Sequence, residues 1–206
     1  MRKVKPEDEI PVKELTFTAI KNKCATRPRL SKRTTRRFYA LDKYFAKAQK
    51  EDRALKIEDF MPRMYSIVDD MTREMTGKDA VCRKGCAWCC KIPLTVSAVE
   101  ASYIWARYGV EMDMNAKNVI RNEVDDYCPL LDQDTGLCTV YEARPLACRT
   151  FFTYDHPKEC EDPTNAHNIT SMNSHSGFLH YSKTLLSISE GLPVTAYADI
   201  REWVKK

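Results

Sequence analysis

The chain has 206 residues, a formal net charge of +4 and 43% hydrophobic residues. This composition excludes general disorder, and no stretch approaches the roughly 18 apolar residues that span a bilayer, so we predict a folded protein without a membrane partner. The first nine residues lack the apolar core of a secretory signal, which predicts a cytoplasmic protein. Because a reducing compartment disfavours disulfides, the nine cysteines favour metal binding.

Helical patterns dominate the first part of the chain. A threonine cap in a basic segment predicts a helix over about 34–50, and an apolar stripe predicts a second helix over 59–75. Ser97 and Glu100 have the spacing of a capping box, which predicts a further helix that Gly109 ends.

The second part of the chain predicts shorter elements. We expect a helix over 115–124, a small hairpin over 130–141 around an Asp- and Gly-containing turn, and a helical turn near 145–149. Two closing helices are predicted over 178–190 and 197–205. The predicted fold class is mainly α with a small β-hairpin, a compact helical domain organised around a cysteine metal cluster.

Eight of the nine cysteines lie in one region, and their spacing predicts a metal site. The candidate ligands are Cys82, Cys86, Cys89, Cys90, Cys128, Cys138, Cys148 and Cys160. Thiolates are soft donors that suit Zn²⁺ or iron–sulfur clusters, and short spacings let one loop present several sulfurs to one centre. The adjacent side chains of Cys89 and Cys90 diverge, so we expect them to serve two centres or one of them to be no direct ligand.

The cysteine motifs occur in a characteristic order. CRKGCAWCC begins at Cys82 and is followed by IPLT, and the later blocks are CPLLD, GLCTVYE and RPLACR. Over about residues 80–152 this order resembles the YkgJ-type cysteine-cluster family. The resemblance implies a domain that chelates zinc or iron through all of the candidate cysteines except Cys160, which lies beyond the motifs.

The choice of metal stays open between two cofactors. Three closely spaced thiolates and a distant fourth suit a [4Fe–4S] cluster, which we prefer, whereas four thiolates also suit a structural Zn²⁺. The sequence contains no phosphate loop, dinucleotide fingerprint or nucleophile elbow. Redox or modification activity is therefore a hypothesis without a visible catalytic motif, and no small-molecule substrate is indicated.

Several other residues are candidates around the metal. Trp88 either shields the centre or packs in the core. Arg144 and Arg149 either donate to thiolates or an anion, or form salt bridges with nearby carboxylates. The spacing of His156 between Cys148 and Cys160 would allow a mixed site, although such histidines more often lie in surface loops.

Basic charge is concentrated near the N-terminus. Residues 21–50 contain eleven Lys or Arg and one acidic residue, a net +10, which leaves −6 for the rest of the chain. We therefore predict a basic extension over 1–55 and a cysteine-cluster domain over 56–206. In the alternative function, a structural zinc site braces a non-enzymatic adaptor whose basic arm binds nucleic acid or an acidic protein. The candidate anion-binding residues are Arg27, Arg29, Lys32, Arg33, Arg36 and Arg37.

Overall fold

The computed structural model describes residues 29–76, 80–113, 115–121, 126–162 and 169–205. Its α-helices are α1 (Lys32–Lys50), α2 (Ile57–Thr76), α3 (Ala98–Tyr108), α4 (Leu146–Thr150), α5 (Ser176–Glu190) and α6 (Ile200–Trp203). Its strands are β1 (Thr95–Ser97), β2 (Leu131–Asp132), β3 (Leu137–Cys138), β4 (Phe152–Thr153), β5 (Ile169–Thr170) and β6 (Tyr197–Asp199). The predicted fold class, mainly α with a small hairpin, is confirmed. None of the helices in the described ranges is both long and apolar enough to cross a membrane.

The basic helix α1 is docked onto α2 at its first turn. Its cap is Ser31, one residue before the helix, whose hydroxyl accepts a hydrogen bond from the Thr34 amide at 3.2 Å. The Glu74 carboxylate of α2 accepts from the Ser31 amide and from the Thr34 hydroxyl, both at 2.7 Å. Farther along α1, Leu41 is buried in the core. The helix therefore starts earlier than the sequence predicts, and its apolar side packs on the rest of the protein.

Helix α2 lies at the centre of the apolar core. Its predicted stripe is buried, with Phe60, Met64, Val68 and Met71 each at most 1% exposed. The helix packs against α1, α3 and α4. Burying one such side chain stabilises the fold by about 1.5–3 kcal/mol, so this stripe supplies much of the packing energy.

The predicted capping box of α3 is present and joins several elements. The Glu100 carboxylate accepts from the Ser97 amide at 3.1 Å and from its hydroxyl at 2.7 Å. It also accepts from the Leu146 amide at 2.7 Å, at the first residue of α4. Gly109 ends α3 in the left-handed conformation, with φ of 67°. One buried carboxylate therefore fixes α4, which carries a cysteine, to the start of α3.

The helices predicted over 115–124 and 197–205 do not form as predicted within the described residues. Residues 115–121 form an irregular segment whose Val119 carbonyl accepts from the Asp199 amide at 3.0 Å. Residues 122–124 of that prediction lie outside the described ranges. The closing segment begins as strand β6, antiparallel to β1, and becomes helical only at α6. Both differences arise because main-chain partners distant in sequence replace the hydrogen bonds of a local helix.

The predicted hairpin is confirmed, and the short strands position cysteines. Strands β2 and β3 pair antiparallel with Leu131 opposite Cys138, and Gly136 takes a φ of 69° in the turn. Strand β4 pairs antiparallel with β5. These pairings bring distant cysteines toward the loop that carries the first four.

Candidate metal centre

The cysteine loop is a succession of tight turns. The Cys86 amide donates to the Arg83 carbonyl at 3.1 Å, and the Cys90 amide donates to the Ala87 carbonyl at 2.9 Å. A 3-10 turn over Trp88–Lys91 follows. Turn hydrogen bonds satisfy main-chain groups within the loop, so the loop can hold its cysteines in place without an underlying helix or strand.

Four cysteines gather on the β4 side of this loop; we call Cys82, Cys86, Cys89 and Cys160 the first thiol group. The Val81 amide donates to the Thr153 carbonyl, and the Thr153 amide donates to the Cys82 sulfur, both at 3.3 Å. The turn Pro157–Glu161, which carries the buried Cys160, packs against the turn Trp88–Lys91. The last cysteine in sequence therefore joins the first ones in space.

The other four cysteines gather on the hairpin side; we call Cys90, Cys128, Cys138 and Cys148 the second thiol group. The Cys128 amide donates to the Cys90 carbonyl at 2.7 Å, and the Leu131 amide donates to the Cys128 carbonyl at 3.0 Å. Leu131 lies opposite Cys138 in the hairpin. Helix α4 then presents Cys148 near them, and Cys89 of the first thiol group also acts on Cys148 and Cys138.

Hydrogen bonds from main-chain amides point at the sulfurs. The pKa of Cys86, Cys128 and Cys138 is raised by burial and is lowered in part by the amide of the residue two positions on, which is Trp88, Leu130 or Val140 respectively. An N–H group directed at sulfur stabilises the thiolate over the thiol. Both groups thus contain donors prepared for negatively charged sulfur.

Burial and neighbouring thiols hold most of the cysteines in the protonated form. Burial raises the pKa of Cys82 to about 12, with Cys86, Cys89 and Cys160 adding to it. Burial likewise raises the pKa of Cys128 and of Cys160 to about 11. A buried cluster of this kind charges only when a cation replaces the protons, which is how a metal site behaves.

Cys89 and Cys90 lie where the two groups meet. The hydrogen bond from the Cys90 thiol is the main cause that lowers the pKa of Cys89 to about 7, against the effect of burial, and Arg144 lowers it further. The same hydrogen bond is the main cause that raises the pKa of Cys90. Cys89 is therefore the thiol of the cluster that ionises most readily.

The donor chemistry fits a thiophilic metal. All eight described cysteines are free thiols. As the side chains stand, no three Cys, His, Asp or Glu residues within the described ranges converge tightly enough to hold an ion. Binding would therefore require the thiols of a group to rotate toward a shared point, within loops whose main chain already brings them together.

The two predicted arginines take different roles. Arg149 is 3% exposed, pairs with Asp69 at 2.7 Å and donates to the Arg144 carbonyl at 2.8 Å. It is therefore bound to α2 and to its own loop. Arg144 lies 3.8 Å above the Tyr141 ring and lowers the pKa of Cys89, Cys138 and Cys148, so it is a cation that faces the thiols. Trp88 is half-buried within the cysteine turn.

The histidines have structural partners. His156 accepts from the Lys158 amide at 3.2 Å, and His175 accepts from the Gly177 amide at 2.9 Å. His180 lies 2.7 Å from Asp42 of α1. His167 and Cys24 lie outside the described residues. The geometry gives His156 the role of a turn cap beside Cys160.

Arg201 of α6 is a site residue that sequence reasoning missed. Its guanidinium donates to the Cys90 carbonyl at 3.0 Å and to the Asp126 carbonyl at 2.7 Å, and it pairs with Asp199 at 3.2 Å. It thereby joins the cysteine loop to the segment that leads into Cys128. Local sequence carries no signal of this contact, because Arg201 and Cys90 are 111 positions apart.

The basic candidates lie mostly on the open side of α1. Arg29, Lys32, Arg33 and Arg36 are exposed. Arg37 instead faces α2, where it pairs with Asp70 and donates to the Ser66 hydroxyl. Arg27 lies outside the described residues, as does the rest of 21–28.

The fold and the site define a helical protein with a cluster of eight free thiols. Residues 81–174 match the CxxCxxCC family, described as "Putative zinc- or iron-chelating domain". This match confirms the resemblance drawn from the motifs and supports metal binding. It also extends past the motifs to include Cys160. No curated protein and no solved structure matches the chain.

Proposed function

We propose that this protein binds a metal cofactor and that the first thiol group holds a [4Fe–4S] cluster, with Zn²⁺ as the alternative occupant. The observation that carries the proposal is the packing of the Cys160 turn against the cysteine loop. It supplies the distant fourth thiol that the C-x3-C-x2-C spacing of Cys82, Cys86 and Cys89 requires for a cuboidal cluster.

The surrounding residues support thiolate ligands at this position. The Thr153 amide donates to the Cys82 sulfur, and the Trp88 amide favours the thiolate form of Cys86. The Thr153 hydroxyl also lowers the pKa of Cys160 against the effect of burial. A bound iron–sulfur cluster would supply one-electron transfer, whereas zinc would supply folding stability alone.

Metal and sulfide analysis tests this proposal. We expect protein purified without oxygen to be brown and to contain four iron and four sulfide per chain, on the cluster stoichiometry. C86S should lose most of this iron, whereas C24S, outside both thiol groups in sequence, should retain it. A colourless protein that contains zinc would favour Zn²⁺ over the [4Fe–4S] cluster as the occupant. Folded wild-type protein that contains no metal would refute both occupants.

A second candidate function is binding of nucleic acid by α1. The observation in its favour is the row of exposed cations at Arg29, Lys32, Arg33 and Arg36, which continues to the exposed Lys43. Tyr39, 63% exposed, lies among them and offers a stacking surface. Cations spaced along a helix match the regular charge of a phosphate backbone better than they match a compact acidic patch.

The salt dependence of oligonucleotide binding tests whether nucleic acid is the partner of α1. We expect a fluorescent RNA or DNA oligonucleotide to bind at low salt and to weaken steeply as salt rises. R36E should weaken binding several-fold, whereas K117E, which makes the same charge change at an exposed site away from α1, should not. Absence of binding at low salt would refute the nucleic-acid role and leave an acidic protein as the partner to test.

A further inference from the structure

We infer that a cleft between α1 and the start of α5 holds an unpaired base, so that α1 binds single-stranded nucleic acid in preference to a duplex. The inference rests on the nucleic-acid role proposed for α1 and deepens it, and it is independent of any metal. Its basis is a cleft whose lining combines aromatic rings with positive charge and, among the described residues, contains no carboxylate.

The cleft has the size of a ligand pocket and lies beside the exposed cations of α1. Its volume is about 570 Å³, within the range of about 300–1,000 Å³ that is typical of small-molecule sites. The buried Met71 of α2 is among its lining residues. Gly177 lets α5 start close to α1 and α2, because a Cβ there would come within 2.5 Å of the Met71 side chain and 3.3 Å of the Phe38 ring. The first residues of α5 are therefore within reach of a ligand held on α1.

Four aromatic rings line the cleft and provide faces for stacking. They are Phe38, Tyr39, His175 and His180. The Phe38 ring packs on the buried Tyr181 ring with 5.0 Å between centroids, and the Tyr39 ring stands at 88° to Phe38 with 5.5 Å between centroids. Tyr39 is 63% exposed, whereas Phe38 is half-buried. A flat ligand can therefore stack on Tyr39 at the mouth and contact Phe38 below it.

Contacts with neighbouring residues hold the two histidine rings in place without a ligand. Nε2 of His180 lies 2.7 Å from the Asp42 carboxylate, and Nδ1 of His175 accepts from the Gly177 amide at 2.9 Å. The His180 ring also packs against the Phe38 ring, with 5.3 Å between centroids. A lining that is already ordered loses little conformational freedom when a base enters, which favours binding.

The charge around the cleft favours an anionic ligand. Arg29 lines it. On α1, Arg36 precedes the lining residue Tyr39 by three positions and Lys32 precedes it by seven, so both cations lie on the same side of the helix as that ring. A phosphate next to a base in the cleft would therefore meet cations and, in the part of the chain that the structure describes, no lining carboxylate.

A larger cleft between α2 and α3 shows that this lining is not a general property of the surface. Its volume is about 830 Å³, and its lining includes four carboxylates, those of Glu58, Asp69, Asp70 and Glu142. It also contains Tyr108, which is 38% exposed. Because carboxylates repel a phosphate backbone, an exposed tyrosine in that cleft is a matched control for Tyr39.

A duplex cannot use the rings of the α1–α5 cleft, because its base faces are covered. Each base of a duplex is stacked between its neighbours, so the phosphates, sugars and base edges are what a protein contacts. A duplex can therefore contact the cations of α1 but not the aromatic lining. An unpaired base gains stacking on the rings in addition, and this contribution separates the two ligands.

Binding of matched single-stranded and double-stranded oligonucleotides tests the inference. A short fluorescent DNA strand of mixed sequence, alone or annealed to its complement, is titrated with the full-length protein at low salt while anisotropy is measured. The variants are Y39A and R36E, and the control is Y108A. A second pair of variants is S176L, at an exposed residue that lines the cleft, and S187L, at an exposed residue near the other end of α5. Thymidine 5′-monophosphate is then added as a competitor.

We expect wild type to bind the single strand about tenfold more tightly than the duplex, on the contribution of one stacked base. Y39A should remove most of this preference and leave duplex binding nearly unchanged, whereas R36E should weaken binding of both ligands and Y108A of neither. S176L narrows the cleft and keeps every cation, so it should act like Y39A, and S187L should act like wild type. Should Y39A lose its fold by circular dichroism, the comparison of S176L with S187L decides.

Other outcomes separate this inference from the proposed role of α1. Equal affinity of wild type for the two ligands, or a preference that folded Y39A keeps, overturns the inference and leaves the nucleic-acid role standing. Absence of binding of either ligand refutes both. Thymidine 5′-monophosphate should compete only weakly. If it binds as tightly as the strand, the cleft belongs to a free nucleotide, which also overturns the inference.

Discussion

Arg201 connects the cysteine loop, the segment that leads into Cys128 and the end of strand β6. Its side chain is 9% exposed and reaches the Cys90 carbonyl, the Asp126 carbonyl and the buried Asp199 carboxylate. Asp199 in turn accepts from the Leu94 amide at 2.9 Å, just after the cysteine loop. The geometry of the thiols therefore depends on a residue that is no ligand and lies outside the segment that matches the family.

Replacing Arg201 should loosen the cysteine loop. We expect R201A to lower the free energy of unfolding by about 3 kcal/mol, because the buried Asp199 carboxylate loses its guanidinium and the part-buried Cys90 carbonyl loses its donor. R121A is the control: Arg121 pairs mainly with Glu202 and is 39% exposed, so its loss should destabilise the protein much less than R201A does. Urea denaturation measures both, and equal losses would contradict the role of Arg201.

At the scale of elements, α1 is attached to α2 by polar groups at one end and apolar packing along its length. Glu74 accepts from Ser31 and Thr34 at the helix start, and the Phe45 ring lies 5.9 Å from the Phe60 ring near its other end. A helix in this basic segment was predictable from the sequence. Its polar attachment was not, because Glu74 lies 40 or more positions from its partners.

The attachment of α1 should depend on pH through Glu74. Burial raises the pKa of Glu74, but hydrogen bonds from Ser31 and Thr34 outweigh burial and lower it below its ordinary value of 4.5. A carboxyl whose folded pKa is depressed stabilises the fold above its unfolded pKa, and this stability is lost as pH falls through the folded pKa.

We expect E74Q to be less stable than wild type by about 1 kcal/mol at neutral pH, and the difference to shrink as the pH falls below the ordinary carboxyl range. Denaturation at several pH values measures it. S66A is the control, because it removes the Ser66 hydroxyl that accepts a hydrogen bond from Arg37 and this hydroxyl does not titrate. The loss of stability in S66A should therefore change less with pH than the loss in E74Q. A difference for E74Q that is constant with pH would show that Glu74 acts by packing alone.

Across the whole molecule, the apolar core and the thiol groups are stabilised by different interactions. The core around Phe60, Met64 and Tyr181 is buried through apolar packing, whereas the cysteine loop depends on turns and on Arg201. Removal of bound metal by a chelator should therefore increase amide hydrogen exchange in the segments that carry the cysteines, while the amides of α2 stay protected. Hydrogen–deuterium exchange followed by mass spectrometry, with and without chelator, measures this. An equal increase of exchange in α2 and in the cysteine segments would contradict the prediction.

Much of the fold was predictable, as were the motifs that the family model matches, because these signals are local. The capping box at Ser97, the hairpin turn at Gly136 and the cysteine motifs each depend on residues a few positions apart. Which distant cysteines approach the cysteine loop was not predictable, since it follows from how the segments of Cys160 and Cys148 fold back on it. The strand β6 was missed for the same reason, as its partner β1 is about 100 positions away.

The position of Arg201 in the chain also affects the order of events during synthesis. Cys90 leaves the ribosome 111 residues before Arg201, a delay on the order of ten seconds at ordinary translation rates. The last cysteine of the two groups, Cys160, still precedes Arg201 by 41 residues, so every one of them has been made before the side chain that fastens their loop. A nascent chain could therefore acquire metal in the cell while its loop is still open, before the last contacts make its release slow.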